Sequence, residues 1–491
     1  MITNPFYRQV AKSLALLLVS IAITRFSQGL WLGVMTLCGI VWALQGKAGK
    51  ALSMYFMIIC MLGINPIILP VGRFMGILVR FGPLLIGFAL TLKGISLRGQ
   101  ARVPLGLLTL YLAVAAVSSI NGWAPMVSYL KLVNFLVFLL SFLFGVHTLS
   151  YDCEGTFYLR ATFFAYAVFL IFGSAMILPF PSISTLSGVQ SAALEGNLEA
   201  INAAMQSAEG TVPLFCGVTN QSQYLAVLSG TMLAWLMADM LFIEQKFSKW
   251  HLLLLGVGAI LAYLTRSRVG LFTMMVGTLF VAIYLPNKMG LESTIKRRLK
   301  AGVSVILIIT VIVGIASEVM NDSISQWLRK VNDVEGDRRS LSEAVTASRQ
   351  GLMEESMRDF RCNPMFGMGF QVAEYTAEQI ARSGGGLVIS APIEKGVLPV
   401  MVLGETGIVG AIFFAVFLIS FYTATNRRRL YVTAAMFTVL LATNMGEATF
   451  FSPGGGGGVI WAISIIGGYC IDMTLAKDRR SHANLPYNYY P

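Results

Sequence analysis

The chain of 491 residues is too apolar for a soluble protein. Hydrophobic residues make up 56% of it, charged residues 12%, and the mean hydropathy is +0.71, whereas charged residues make up about 25% of a soluble domain. The net charge of +12 does not indicate nucleic-acid binding, because the basic residues stand in short clusters between apolar runs. The six cysteines form no CxxC pair and there are three histidines, so we expect no metal site and no cofactor.

Apolar runs of about 17–25 residues, long enough to cross a hydrocarbon layer of about 30 Å, recur along almost the whole chain. The first run has no small-residue cleavage site and a second follows at once, which indicates a retained helix rather than a signal peptide. The predicted spans are 10–26, 29–45, 51–69, 74–93, 103–120, 127–150, 158–180, 221–243, 249–265, 267–285, 301–317, 398–422, 431–447 and 455–475. They predict an all-α fold, a polytopic transmembrane bundle of about fourteen helices.

The basic clusters between the runs predict the topology. With an even number of helices and both termini in the cytoplasm, the strongest clusters (296–300, 427–429 and 477–480) all fall on the cytoplasmic side. The predicted parts of the chain are then about eleven helices in 1–317 with an external loop at about 181–220, an external and mostly helical loop domain in 318–397, the last three helices in 398–475, and a cytoplasmic tail in 476–491.

Several cations stand where a membrane disfavours them. Arg80 and Lys131 fall inside predicted spans, Arg73 falls at an external helix end, and Arg266 and Arg268 occupy a tight connection between two spans. A cation at the centre of a spanning helix costs about 2.5–3.5 kcal/mol on insertion scales. Each of these residues could reach headgroups or pair with a carboxylate, but together they predict an anion site for a pyrophosphate.

Three stretches carry a resemblance to a known family. ASRQGLMEESMRDFRCNPMFGMGF (347–370), LTRSRVGLF (264–272) and GETGIVG (404–410) resemble, in the same order, elements of the O-antigen ligases and Wzy-type polysaccharide polymerases. The residues of the first stretch that match are Ser348, Arg349, Asn363, Pro364, Gly367 and Gly369. The resemblance extends over roughly residues 210–450.

The resemblance implies a glycosyltransferase in the cytoplasmic membrane of a bacterium. Such an enzyme polymerises undecaprenyl-pyrophosphate-linked oligosaccharide repeats into a surface polysaccharide at the periplasmic face, with inversion at the anomeric carbon and without a metal. Its partners would be the lipid-linked oligosaccharide, membrane lipids, and a chain-length regulator and a flippase of the same pathway.

One position departs from the family pattern. The ligases carry a histidine about eleven residues before the first glycine of their Gly-x-x-Gly element, where this chain has Gly396. Glu394 and Lys395 stand just upstream of it, so we expect Glu394 to be the general base and Lys395 to bind substrate, although both residues could be an exposed pair at a helix start.

The other roles follow from the charge of the leaving pyrophosphate. Arg266 and Arg349 are the predicted catalytic cations, and the predicted substrate-binding residues are Arg268, Arg80, Lys131, Arg73 and Lys395.

Other functions remain open from the sequence. A ligase would move a finished glycan to a lipid or protein acceptor, and the missing histidine argues for a polymerase instead. A transporter or flippase of lipid-linked sugars would show paired repeats and broken helices, with little need for a charged external segment. A disulfide between Cys216 and Cys362, both predicted to be external, is a further possibility.

Overall fold

The computed structural model describes residues 4–27, 29–70, 73–92, 102–149, 152, 154–185, 214–244, 248–286, 341–372, 397–446, 449–452 and 455–483. Helices dominate this part of the chain, and no strand occurs in it beyond two isolated bridges. The α-helices of seven or more residues are α1 (Pro5–Ser27), α2 (Leu30–Leu44), α3 (Ala48–Leu62), α4 (Arg73–Thr91), α5 (Arg102–Ile120), α6 (Pro125–Leu149), α7 (Gly155–Ile177), α8 (Ser222–Asp239), α9 (Lys249–Leu264), α10 (Arg268–Leu279), α11 (Leu341–Cys362), α12 (Leu398–Arg427), α13 (Tyr431–Thr443), α14 (Gly455–Trp461) and α15 (Gly468–Ala483).

The all-α prediction is confirmed for these residues, and the protein is a multi-pass membrane protein. Every predicted span except 301–317, which lies outside the described residues, coincides with a helix. Among the described residues, five helical segments are long and apolar enough to cross a membrane by themselves: Pro5–Ser27, Gly155–Ile177, Ser222–Glu244, Leu398–Arg427 and Gly456–Lys477. The total of about fourteen spanning helices stays a prediction.

Two ends differ from the predicted spans. The span predicted as 51–69 stops being helical at Leu62, because Gly63 begins a turn and Pro66 disfavours helical geometry at Asn65 before it. The Asn65 side chain holds this turn through its Nδ2, which donates to the Ile183 carbonyl at 2.7 Å. The last helix, α15, continues to Ala483, beyond the predicted boundary at 475.

The chain forms two compact units. The first contains residues 1–31, 60–76 and 161–348, and its centre is α8, which is buried on nearly all sides. Helix α8 packs against α9 and α10. It approaches α10 so closely that an added Cβ at Gly270 would overlap Ala226. A hydrogen bond between the Asp239 carboxylate and the His251 Nε2 (3.2 Å), both fully buried, ties α8 to α9.

The second unit contains residues 32–59, 77–160 and 349–491. Helix α5 packs along α12, and α13 packs against α15. Asp472 of α15 caps the start of α13, because its carboxylate accepts the backbone N–H groups of Val432 (3.1 Å) and Thr433 (2.8 Å). A buried cluster of aromatic rings lies around Phe451 and comprises Tyr111, Phe135, Phe370, Phe414 and Phe450.

The two cysteines considered for a disulfide are both free. Cys216 is buried, and its thiol donates to the Ser184 carbonyl at 3.2 Å. Burial raises the pKa of the Cys216 thiol to about 12, so the reactive thiolate is scarce at neutral pH. Cys362 at the end of α11 is exposed.

Candidate active site

Helix α12 is broken at Gly407, which has φ 63° and ψ −166°. This backbone conformation is accessible to glycine and to almost no other residue. In an unbroken helix, the Gly404 carbonyl would accept from the Ile408 N–H, and the Glu405 carbonyl from the Val409 N–H. The break therefore leaves two carbonyls and two N–H groups that need other partners.

The segment that supplies these partners, here called the motif loop, is residues 363–371, which follow α11. The first half of the motif loop accepts hydrogen bonds from the two N–H groups after the break. The Ile408 N–H donates to the Pro364 carbonyl (2.9 Å), and the Val409 N–H donates to the Met365 carbonyl (3.3 Å). The second half of the motif loop donates N–H groups to the two carbonyls that precede the break.

Those donors are the N–H groups of Met368, which reaches the Gly404 carbonyl at 2.9 Å, and Gly369, which reaches the Glu405 carbonyl at 3.2 Å. The motif loop thus replaces both lost helical hydrogen bonds, and we call this arrangement the splice.

The splice requires very close approach of backbone to backbone. An added Cβ at Gly407 would overlap the backbone of Met365, and one at Gly367 would overlap the backbone of Glu405. Gly367 also has a positive φ of 72°. Both glycines belong to the sequence elements that resemble the family, so the splice explains why each element needs glycine at that position.

Two serines at the end of helix α5 bind the motif loop. The Ser118 hydroxyl donates to the Glu405 carbonyl and accepts the Gly369 N–H at 2.9 Å, so one side chain bridges α12 and the motif loop. The Ser119 hydroxyl accepts the Phe370 N–H at 3.2 Å. Glu405 is itself 2% exposed, at the end of the first half of α12.

Lys131 of α6 holds the end of the motif loop. It is 3% exposed, and its Nζ donates to the Gln371 carbonyl at 2.8 Å. Gln371 has a positive φ of 54°, and its side-chain amide donates to the Phe451 carbonyl. At the other end of the loop, the Asp359 carboxylate accepts the Trp123 indole N–H at 3.0 Å, which fixes α11 to the α5–α6 connection.

Arg266 occupies the turn between α9 and α10 in the first unit. It has a φ of 53°, a left-handed conformation that is uncommon for a residue other than glycine and that clusters at functional sites. Its Nη1 is buried, and no hydrogen-bond partner for that atom lies among the described residues. Ser267 caps α10 by accepting the Gly270 N–H at 3.3 Å, and Arg268 is the first residue of α10.

This turn is chemically suited to an anion. A helix N-terminus presents unpaired N–H groups and the positive end of its dipole. Two guanidinium groups flank it here, and guanidinium binds phosphate oxygens in a bidentate way.

Residues 251–415 match the family model described as O-Antigen ligase. The match covers about a third of the chain and confirms the resemblance that the sequence elements indicate. The match supports a general function in glycosyl transfer at a membrane. A comparison with curated proteins gives no match.

The O-antigen ligase match includes Arg266, Arg268, Arg349, the motif loop and the break in α12. The structure joins two of the three elements that carry the resemblance, because the splice binds the Asn-Pro-x-x-Gly-x-Gly loop to the Gly-Glu-Thr-Gly break. The third element, around Arg266, belongs to the first unit.

The side chains of five predicted site residues lie outside the described part of the structure. Glu394 and Lys395 lie outside the described residues. Arg73 and Arg80 stand in α4 and Arg349 in α11, but their side chains lie outside the described part of the structure. Their predicted roles stay predictions. In the part of the chain that the structure describes, no group of three His, Cys, Asp or Glu side chains is arranged to hold a metal ion.

The residues that sequence reasoning missed are Ser118, Ser119 and Gln371. The two serines bind the backbone of the O-antigen ligase match from outside the matched range, and Gln371 binds from inside that range to the Phe451 carbonyl outside it. Two serines near a helix end carry no signal that would distinguish them from ordinary small residues of a membrane helix.

Replacement of Ser118 by alanine is expected to lower stability by about 1–3 kcal/mol, because two buried hydrogen bonds worth about 0.5–1.5 kcal/mol each are lost, whereas the Gly369 N–H and the Glu405 carbonyl keep their bond to each other. The measurement is the thermal midpoint of the purified protein in detergent. Thr423→Ala, on the exposed side of α12, removes a hydroxyl bonded to its own helix and serves as the control. Equal midpoints for both variants would contradict the bridging role of Ser118.

Proposed function

We propose that this protein polymerises undecaprenyl-pyrophosphate-linked oligosaccharide repeats at the periplasmic face of a bacterial cytoplasmic membrane, with both termini in the cytoplasm. The observation that carries the proposal is the splice, which joins two family elements in one rigid arrangement inside the O-antigen ligase match. A rigid scaffold of this kind is what a reaction that depends on positioning requires.

The chemistry needs an activated acceptor and a stabilised leaving group. In the proposed reaction, the acceptor hydroxyl attacks the anomeric carbon of the donor from the face opposite the pyrophosphate. The new C–O bond forms as the bond to the pyrophosphate oxygen breaks, so the configuration inverts. Glu394 takes the proton of the hydroxyl, and the lipid pyrophosphate leaves with its negative charge.

Fixed cations can stabilise that charge without a metal, because preorganised positive groups in a dry site act strongly on developing charge. Arg266 and Arg349 are proposed for this role, and the buried Nη1 of Arg266 is a donor suited to a phosphate oxygen. The proposed donor-binding residues are Arg268, Arg80, Lys131, Arg73 and Lys395. A hydrogen bond from Lys131 to the Gln371 carbonyl also lets Lys131 position the motif loop.

A ligase is the second candidate, because the description of the matched family favours it. Such an enzyme would transfer a finished glycan to a lipid or protein acceptor. The absence of a histidine near Gly396 argues for the polymerase. A deletion strain distinguishes the two: single lipid-linked repeats accumulate without a polymerase, and long lipid-linked glycans accumulate without a ligase.

The break in α12 is the observation that would favour a transporter. In transporters, broken helices leave backbone groups free to bind the cargo or its coupling ion. In this protein the motif loop binds the groups that the break at Gly407 frees, so they are not open to a cargo.

The test supplies purified protein in detergent with a lipid-pyrophosphate-linked oligosaccharide of its host and no added metal. We expect the wild type to lengthen the glycan, and Arg349→Ala and Glu394→Gln to elute as folded protein and fail to do so. Transfer of intact glycan to a second acceptor would establish the ligase. With the protein reconstituted into vesicles, movement of the substrate across the bilayer without extension would establish the transporter.

A further inference from the structure

The turn at the start of the motif loop exposes apolar side chains. Met365 is 54% exposed and Phe366 40% exposed, and Pro364 beside them is exposed as well. Their backbone atoms are held firmly, because Asn363 Oδ1 accepts the Phe366 N–H at 3.3 Å and the splice binds the Pro364 and Met365 carbonyls. A rigid turn that presents large apolar side chains marks a contact surface.

The same surface continues onto the second half of α12. The exposed large apolar residues there are Ile408, Ile412, Val416 and Ile419. Their spacing of four, four and three residues places them on one face of the helix. Because α12 is long and apolar enough to span a membrane, we expect this face to lie against lipid.

The length of this half of α12 indicates the depth of the turn. From Ile408 to Arg427 the helix rises about 30 Å at 1.5 Å per residue, which equals the thickness of the hydrocarbon layer. Basic residues 427–429 mark one end of that distance. The other end is Ile408, whose N–H is bonded to the Pro364 carbonyl, so the turn lies at the opposite edge of the hydrocarbon.

Two further features fit that depth. Irregular backbone is tolerated near hydrocarbon where its polar groups are bonded within the protein, which the splice provides. Helix α11, which leads into the turn, exposes Arg361, and a cation just outside an apolar surface complements the phosphates of lipid headgroups.

We propose that Met365 and Phe366 form a membrane anchor, with their side chains among the lipid acyl chains at the edge of the bilayer. The occupant of this surface is the bilayer itself rather than a protein partner. The anchor fixes the depth of the motif loop, and through the splice it fixes the loop to α12.

The test measures the surroundings of a nitroxide label in nanodiscs of phosphatidylethanolamine and phosphatidylglycerol. Cys38, Cys153 and Cys362 are replaced by serine, whereas the buried Cys60, Cys216 and Cys470 stay. The labelled variants are Met365→Cys, Phe366→Cys, Ile412→Cys on the lipid face, and Gln350→Cys on the exposed side of α11.

We expect the ratio of oxygen collisions to collisions with a water-soluble nickel complex at 365 and 366 to approach the ratio at 412. It should clearly exceed the ratio at 350, because oxygen concentrates in hydrocarbon and the nickel complex stays in water. Ratios at 365 and 366 as low as at 350 would place the turn in water and overturn the anchor. Low collision rates with both reagents would mean that another protein surface covers it, which also overturns the anchor.

A second variant avoids the label. Phe366→Trp keeps an aromatic ring, and we expect lipids brominated on their acyl chains to quench its fluorescence beyond the quenching of the wild type. No additional quenching relative to the wild type would contradict insertion of this side chain.

Discussion

Replacement of Gly407 by alanine should abolish the folded arrangement of the motif loop. The backbone at Gly407 lies in a region that residues with a Cβ cannot adopt without strain of about 1–3 kcal/mol. The added Cβ would also overlap the backbone of Met365, which cannot move without breaking the splice. We therefore expect a loss of more than about 3 kcal/mol of stability, seen as a lower thermal midpoint and a poor yield of monodisperse protein.

A matched glycine serves as the control. Gly351 in α11 is exposed, and an added Cβ there meets no atom within 4 Å. Gly351→Ala should leave the protein intact or stabilise it by about 0.5–1 kcal/mol, since alanine is the better helix former. If Gly407→Ala kept the thermal midpoint of Gly351→Ala, the helix break and the splice would be wrong.

Replacement of Arg266 by glycine should separate activity from stability. Glycine adopts a φ of 53° without strain, so the thermal midpoint should stay the same or rise. Loss of one preorganised donor to a developing negative charge typically costs about 10²–10³-fold in rate. We expect glycan extension by Arg266→Gly to fall by this factor, measured with saturating lipid-linked donor.

Two further variants bracket this result. Lys249→Ala removes an exposed cation at the start of α9 and should extend glycan at the wild-type rate. Arg266→Lys keeps the charge but loses the bidentate guanidinium, so its rate of glycan extension should lie between that of the glycine variant and that of the wild type. Wild-type activity of Arg266→Gly would exclude Arg266 from the reaction.

The sequence by itself determined where most of the described helices lie and what family the central stretch resembles. A run of apolar residues as long as the bilayer is thick becomes a helix because its backbone has no other partners in lipid, and that is a local property. Ranges such as 103–120 and 398–422 were therefore predicted close to the helices α5 and α12. The motif elements around Arg266, Asn363 and Gly407 could be found because their residue types, order and spacing resemble those of the family.

The tertiary structure alone decided how two of those elements meet. The splice consists of backbone hydrogen bonds between residues 364–369 and 404–409. Because backbone groups are chemically the same at every position, the residue types do not indicate which segments pair. The roles of Ser118 and Lys131 depend on the same long-range contacts. Lys131 was identified from the sequence as an unusual intramembrane charge, but only packing shows that its Nζ reaches the carbonyl of Gln371.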